Sequence, residues 1–273
     1  MSPPPKLTDR AALARNRTRA ADAPEDFLHA LAADEVKDRL AMVNKSFNAP
    51  AIVTGHPGFW ADVVPGARIV ADDEVLDLKP VAHDLLIHAM ALHWAGDPVG
   101  QMIQCLRALK PDGVFLAILF GGQTLHELRA ALGQAEVEIT GGLSPRVVPM
   151  GEIRDLGGLL QRAGFALPVA DSLPLTASYE TPLHLMRELR AMGEQNALVN
   201  RLKHFTRLSV IRRASELYAS AYAEPDGRVR ATFELIFLMG WAPDPNQPQP
   251  LRPGSAQSRL AEALGTVELP LKD

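Results

Sequence analysis

Apolar residues along the chain recur at two periods, and the alternation between them predicts the fold. Phe27, Leu28, Leu31, Val36, Leu40, Met42 and Val43 fall at helical spacing, so 27–47 reads as an amphipathic lead-in helix. Ala51-Ile52-Val53-Thr54 is a short apolar run closed by Gly55, His56, Pro57 and Gly58, the pattern of a buried strand opening into a tight turn. Further strands are expected at Ala67 to Ala71 and His83 to Ala89. Asp97-Pro98 suits a capped helix start, and Met102, Ile103, Leu106 and Leu109 continue it until Lys110-Pro111-Asp112-Gly113 stops it. A strand over Val114 to Phe120 follows, then Gly121-Gly122 and a helix from Thr124 to about Ala135, with Thr124 and Glu127 at capping-box spacing. Strand and helix alternate, which predicts an α/β protein with a doubly wound, mostly parallel sheet.

After Thr140 the pattern becomes more local. A Gly- and Pro-containing loop runs to Pro149, a helix is expected around Ile153 to Ala163 and a strand near Leu167 to Leu173. Helices fit Pro182 to Met192 and Thr206 to Ala223, and Val229 to Trp241 reads as a long late strand. The implied organisation is a helical lead-in (1–48), an α/β core (49–175), a helical lid with the strand that completes the sheet (176–242), and a proline-rich tail (243–273).

Composition narrows the function classes. At 273 residues and 47% hydrophobic the chain can bury a full core, and a net charge of -4 argues against a nucleic-acid partner. The single cysteine, Cys105, rules out an intrachain disulfide and a cysteine metal cluster and reads as core. The most apolar run, Val114 to Phe120, is far shorter than the ~20 residues a membrane helix needs, so the reading is soluble or peripheral. Lys6, Arg10, Arg15, Arg17 and Arg19 outnumber Asp9 and Asp22 at the N-terminus, where Pro3-Pro4-Pro5 and no apolar core read as a basic surface helix rather than a secretory leader. Such a helix suits an acidic partner or a membrane surface.

The stretch Leu109-Lys110-Pro111-Asp112-Gly113-Val114-Phe115-Leu116 resembles the helix-to-strand junction of class I S-adenosylmethionine (SAM)-dependent methyltransferases. With Leu92-His93-Trp94-Ala95-Gly96-Asp97-Pro98 before it and Phe120-Gly121-Gly122-Gln123-Thr124-Leu125-His126-Glu127-Leu128-Arg129 after it, the chain resembles the mitochondrial complex I assembly factor 5 family, the methyltransferase-like arginine hydroxylases, and their bacterial relatives. The match runs on through Gly141 to Arg146, Asp155 to Phe165, Met192 to Asn196, Pro225 to Trp241 and Arg252 to Ala256. The resemblance implies the class I fold, a SAM cofactor, and a role in respiratory complex I assembly by modifying an arginine of a quinone-proximal subunit. It implies a cytoplasmic, bacterial-type location, peripheral at the inner membrane, or the mitochondrial matrix in a eukaryote. Small-molecule methyltransferases of quinone or biotin biosynthesis fit less well, because the late motifs match the assembly-factor group.

The implied cofactor residues are Thr54, Gly55 and Gly58 at the turn and Asp72, in Asp72-Asp73-Glu74, beside the adenine. His93 and Trp94 stand where substrate would meet cofactor, as base and as platform for a guanidinium. Yet Val53 occupies the usual acid position, and His56 and Pro57 stiffen the turn. Only Phe59 to Ala67 separates the turn from the next strand, too few residues for the family's usual second strand unit, so Ile69-Val70 is expected to take its sheet position. Gln123 replaces an acid, and His126-Glu127 lack the spacing of a metal pair, so no metal site is expected. Arg187, Arg190 and Glu194 read as the solvated face of a lid helix. An active SAM-dependent enzyme and a catalytically inactive pseudo-methyltransferase serving as a binding factor both remain open.

Overall fold

A computed structural model describes residues 6–248 and Gly265. The chain divides into two compact units, 1–243 and 244–273, and the site lies wholly in the first. Most of the expected proline-rich tail, 243–273, is outside the described residues.

Six strands form one sheet in the order β2-β1-β3-β4-β6-β5. They are β1 (Pro50–Thr54), β2 (Arg68–Ala71), β3 (His83–Ala89), β4 (Leu109–Phe120), β5 (Ala166–Tyr179) and β6 (Val229–Trp241). β1 to β4 are mutually parallel and β6 runs against both β4 and β5, so the sheet is mostly parallel, as expected. Ile69 and Val70 pair with Ile52 and Val53, which puts β2 beside β1 at the sheet edge. The helices are α1 (Arg10–Ala20), α2 (Phe27–Met42), α3 (Pro57–Trp60), α4 (Pro98–Ala108), α5 (His126–Thr140), α6 (Ile153–Ala163), α7 (Pro182–Ala191) and α8 (Leu208–Tyr222).

Side chains alternate across a strand, so a sheet covered on both faces must be apolar at every position. β1 and the second half of β4 meet that condition. Ile52, Leu85, Ile87 and Leu116 pack on one face with Leu28 and Val36 of α2, Leu128 of α5 and Leu185 of α7. Val53, Leu86, Phe115 and Ala117 pack on the other with Met102 and Cys105 of α4 and Leu160 of α6. Each fully buried Leu, Ile or Phe contributes about 1.5–3 kcal/mol, so this double core holds the strand ends in place.

Several boundaries differ from the sequence expectation. α2 ends at Met42, five residues early, because Val43 is already extended. Asp97 caps α4 as expected, accepting from Gly100 N. α4 ends at Ala108 because Leu109, expected in the helix, is already extended and opens β4; Lys110–Gly113 lies within that strand, irregular at Asp112 (φ 59°), where Asp112 N bonds to Ala242 O. The capping box at Thr124 and Glu127 does not form. β6 extends past the last β4 pairing, Phe120 with Leu235, leaving backbone groups to satisfy. Thr124 Oγ1 donates to Glu234 O and accepts from Glu234 N, and the Glu127 carboxylate accepts from Thr232 N and Oγ1. α5 then starts at His126 and continues to Thr140. β5 reaches Tyr179 because its exposed face at the sheet edge tolerates Ser172, Thr176 and Ser178.

Candidate functional site

The carboxyl ends of β1 and β2 border a crevice of about 500 Å³ lined by Thr54 and Ala71 of the strands, by Gly55 and Asp72 just after them, and by Arg10 and Arg17 from α1. Thr54 is buried, and its Oγ1 accepts from His56 N, which fixes the turn. Gly58 lies one residue into α3, exposed, and a Cβ there would meet nothing. Thr54, Gly55 and Asp72 are therefore brought together, and Gly58 is not.

The N-terminal helix departs most from expectation. Arg15 and Arg19 face solvent as a surface helix should, but Arg17 and Arg10 turn inward onto Asp72. Arg17 Nη1 donates to both Asp72 carboxylate oxygens, at 2.9 and 3.0 Å, and Arg10 Nη1 reaches Asp72 Oδ2 at 3.3 Å. Burial pushes the Asp72 carboxyl upward, but Arg17 and Arg10 outweigh it and hold the group below the usual carboxylate range. The helix is pinned by Asp9 N to Ala197 O (2.7 Å), Asn16 Nδ2 to Gln195 O (3.1 Å) and the Arg201–Asp9 ion pair. Gly193, with φ +77°, turns the chain after α7 and lets Arg17 approach; a Cβ there would sit 3.2 Å from Arg17 Cα.

Arg17 also answers whether SAM fits. A glycine after the first strand serves this fold by letting a ligand approach the backbone. At Gly55 an ideal Cβ would lie 2.0 Å from Arg17 Cζ, so the guanidinium already fills that space. With Arg17 seated and Asp72 ion-paired, these residues do not accept a nucleoside in that position.

His93 and Trp94 form a 3-10 turn after β3, and both are buried. They converge on Glu194, expected on a solvated face but found beyond the end of α7 with its side chain 9% exposed. Trp94 Nε1 donates to Glu194 Oε2 at 2.7 Å, His93 Nε2 lies 3.3 Å from the same oxygen, and His56 Nε2 is 3.9 Å from Oε1. Burial raises the Glu194 carboxyl, yet His56 and His93 beside it, with the charge of Arg17, hold it well below the normal value. Behind His56 its ring neighbour His29, 4.3 Å away, accepts a hydrogen bond from Trp60 Nε1, and burial pushes His29 down to about 3. The expected solvent exposure holds for Arg187 and Arg190.

Glu194 stands on the wall of a second cavity, about 310 Å³, between the sheet ends and α7–α8. Trp94, Phe120, Leu128, Leu189 and Phe233 make it apolar, and Arg146 and Arg190 lie among its lining residues. Glu194, Arg17, His56 and His29 escaped assignment from sequence, though Met192-Gly193-Glu194-Gln195-Asn196 stood out as a motif. Among the described residues no cluster of three metal-ligating side chains occurs. No described helix is long and apolar enough to cross a membrane.

No family model matches the chain. It is 37% identical over 199 residues to "Arginine-hydroxylase NDUFAF5, mitochondrial" of Danio rerio, covering 73% of this chain and 62% of that protein. The Homo sapiens protein of the same name is 37% identical over 204 residues, covering 75% of this chain and 59% of the relative. The malonyl-acyl-carrier-protein O-methyltransferase of Halorhodospira halophila is 34% identical over 173 residues, covering 63% of this chain and 57% of that enzyme. The chain thus spans little more than half the length of the curated relatives it matches. Over the matched segment the chain is thus similar to the NDUFAF5 arginine hydroxylases and to malonyl-acyl-carrier-protein O-methyltransferases, and its mostly parallel sheet with one reversed strand is the α/β architecture that resemblance implied.

Proposed function

We propose that the chain acts in respiratory complex I assembly by receiving an arginine-bearing segment of a quinone-proximal complex I subunit, either free in the bacterial cytoplasm or matrix or peripheral at the inner membrane. The supporting observation is Glu194, a buried carboxylate held ionised on the wall of an otherwise apolar cavity beside Trp94. A guanidinium pairs with a carboxylate through fork geometry and stacks on an aromatic face, and its aliphatic stem packs on residues such as Leu128 and Leu189. His93, 3.3 Å from Oε2, helps hold the carboxylate in place. Relatives whose printed name is arginine hydroxylase agree with this chemistry. No chemical step through SAM follows from the crevice as Arg17 fills it.

The same guanidinium over Gly55 favours a second reading, a binding factor without catalysis. Co-purification of the full chain with the subunit, combined with mass spectrometry of the subunit's arginines in cells with and without the chain, separates the two. Association that Glu194→Ala abolishes, with an arginine modified only when the chain is present, supports the enzyme. The same association with unchanged arginines supports the binding factor, and no association sinks both.

A further inference from the structure

The segment Gln195 to Ser215 holds Arg201, Lys203, Arg207, Arg212 and Arg213 and no acidic residue, in a chain whose net charge is -4. Arg201 and Arg213 are spent on Asp9 and on Glu138 and Glu216. Lys203, Arg207 and Arg212 are exposed and make no ion pair among the described residues. Between the first two in sequence stands Phe205, 98% exposed, and three residues on, at the start of α8, is Leu208, 62% exposed. Leu143, 72% exposed on the loop after α5, lines the same cleft of about 330 Å³ as Leu202, His204 and Arg207.

These apolar side chains are held out rather than left to collapse. Arg146 Nη1 donates to Thr206 Oγ1 at 2.6 Å and Asn196 Nδ2 to Pro145 O at 2.8 Å, tying the two loops together. Arg146 is in turn neutralised by Glu136. A fully exposed phenylalanine costs solvation that nothing within the fold repays, so its surroundings identify its partner. Cations flanking an apolar tip fit a lipid interface: the ring and leucines enter at the level of the acyl chains while Lys203 and Arg207 remain among anionic headgroups.

We propose that Leu143, Phe205 and Leu208, with Lys203, Arg207 and Arg212, form a docking face for an anionic membrane surface. This places the contact on the α8 end of the molecule, not on the exposed arginines of α1. Sedimentation of the full chain with phosphatidylcholine vesicles, with and without phosphatidylglycerol, tests it. Binding is expected only to the anionic vesicles, weakening with salt. Phe205→Ser, at a position with no packing role, is expected to weaken it about tenfold with unchanged melting temperature, and Lys203→Glu/Arg207→Glu to abolish it. Absence of binding to anionic vesicles overturns the proposal. So does a loss confined to Arg15→Glu/Arg19→Glu, which assigns the contact to α1. Vesicle binding unaltered by Phe205→Ser, alongside loss of subunit co-purification, overturns it in favour of a protein contact.

Discussion

Arg17 and Asp72 are joined through one guanidinium nitrogen that lies within 3.0 Å of both carboxylate oxygens, across 55 positions of sequence. The pair fastens α1 to the end of β2 and, in doing so, lays the rest of the guanidinium over Gly55. Nε and Nη2 of Arg17 are buried without a hydrogen-bond partner, so the residue is held by its charge and by the packing of α1, not by full satisfaction of its donors.

Removing one partner of a buried pair leaves an uncompensated charge, which costs about 3–5 kcal/mol. Asp72→Ala strands Arg17 and Arg10 together and should approach that range. Arg17→Ala leaves Asp72 still paired with Arg10 and should cost less. Urea unfolding of the two variants and of the double variant gives the coupling directly. Equal costs that simply add would show that the pair is not the fastening.

Glu194→Gln keeps the shape of the side chain and removes its charge. Trp94 Nε1 retains an acceptor, whereas the amide group now points a donor at His56 or His93. We expect a loss of about 1–3 kcal/mol and a change in tryptophan fluorescence. A variant as stable as the parent would mean that the carboxylate is not ionised in the folded protein.

The buried histidines give a pH signature of determined sign. Burial depresses His29 to about 3 and His88, hydrogen-bonded to Gln101, to about 4. Both are neutral in the folded state, while the unfolded chain takes up protons near 6.5. Their contribution is therefore intact above pH 6.5 and is lost as pH falls toward 4, at up to about 1.4 kcal/mol per pH unit for each. Below that, protonation of Asp72 and Glu194 adds to the loss. Thermal melts at pH 7.5, 6, 5 and 4 should decline throughout, and a flat profile from 6.5 to 4.5 would contradict the assignment.

Gly193→Ala introduces a Cβ at positive φ, 3.2 Å from the Arg17 backbone. The strain is about 1 kcal/mol before any displacement of α1. Limited proteolysis should cut α1 faster in this variant than in the parent, with the sheet left intact; equal rates would show that α1 does not depend on this approach.

The sheet was legible in the sequence because burial on both faces forces continuous apolar runs such as Ala51 to Thr54 and Val114 to Phe120. β5 was read short because its edge position admits polar residues at Thr176 and Ser178, and the α5 cap was misread because Thr124 and Glu127 satisfy β6 instead of their own helix. Within the site, Thr54 and Gly55 are marked by the turn that closes the first strand, and Asp72 by the family resemblance of Asp72-Asp73-Glu74. The roles of Arg17 and Glu194 are not, since a charged residue's partner across 55 or 100 positions leaves no local pattern. Gly58 carried the right residue type but lies within α3.

Arg17 fills the space over Gly55 through which a nucleoside would approach the backbone. Calorimetric titration of S-adenosylhomocysteine into the parent chain and into Arg17→Ala tests it most directly. The variant should bind at least about tenfold more tightly, a difference of about 1.4 kcal/mol. Equal affinity in the two proteins, or tight binding by the parent with Arg17 still on Asp72, would contradict it.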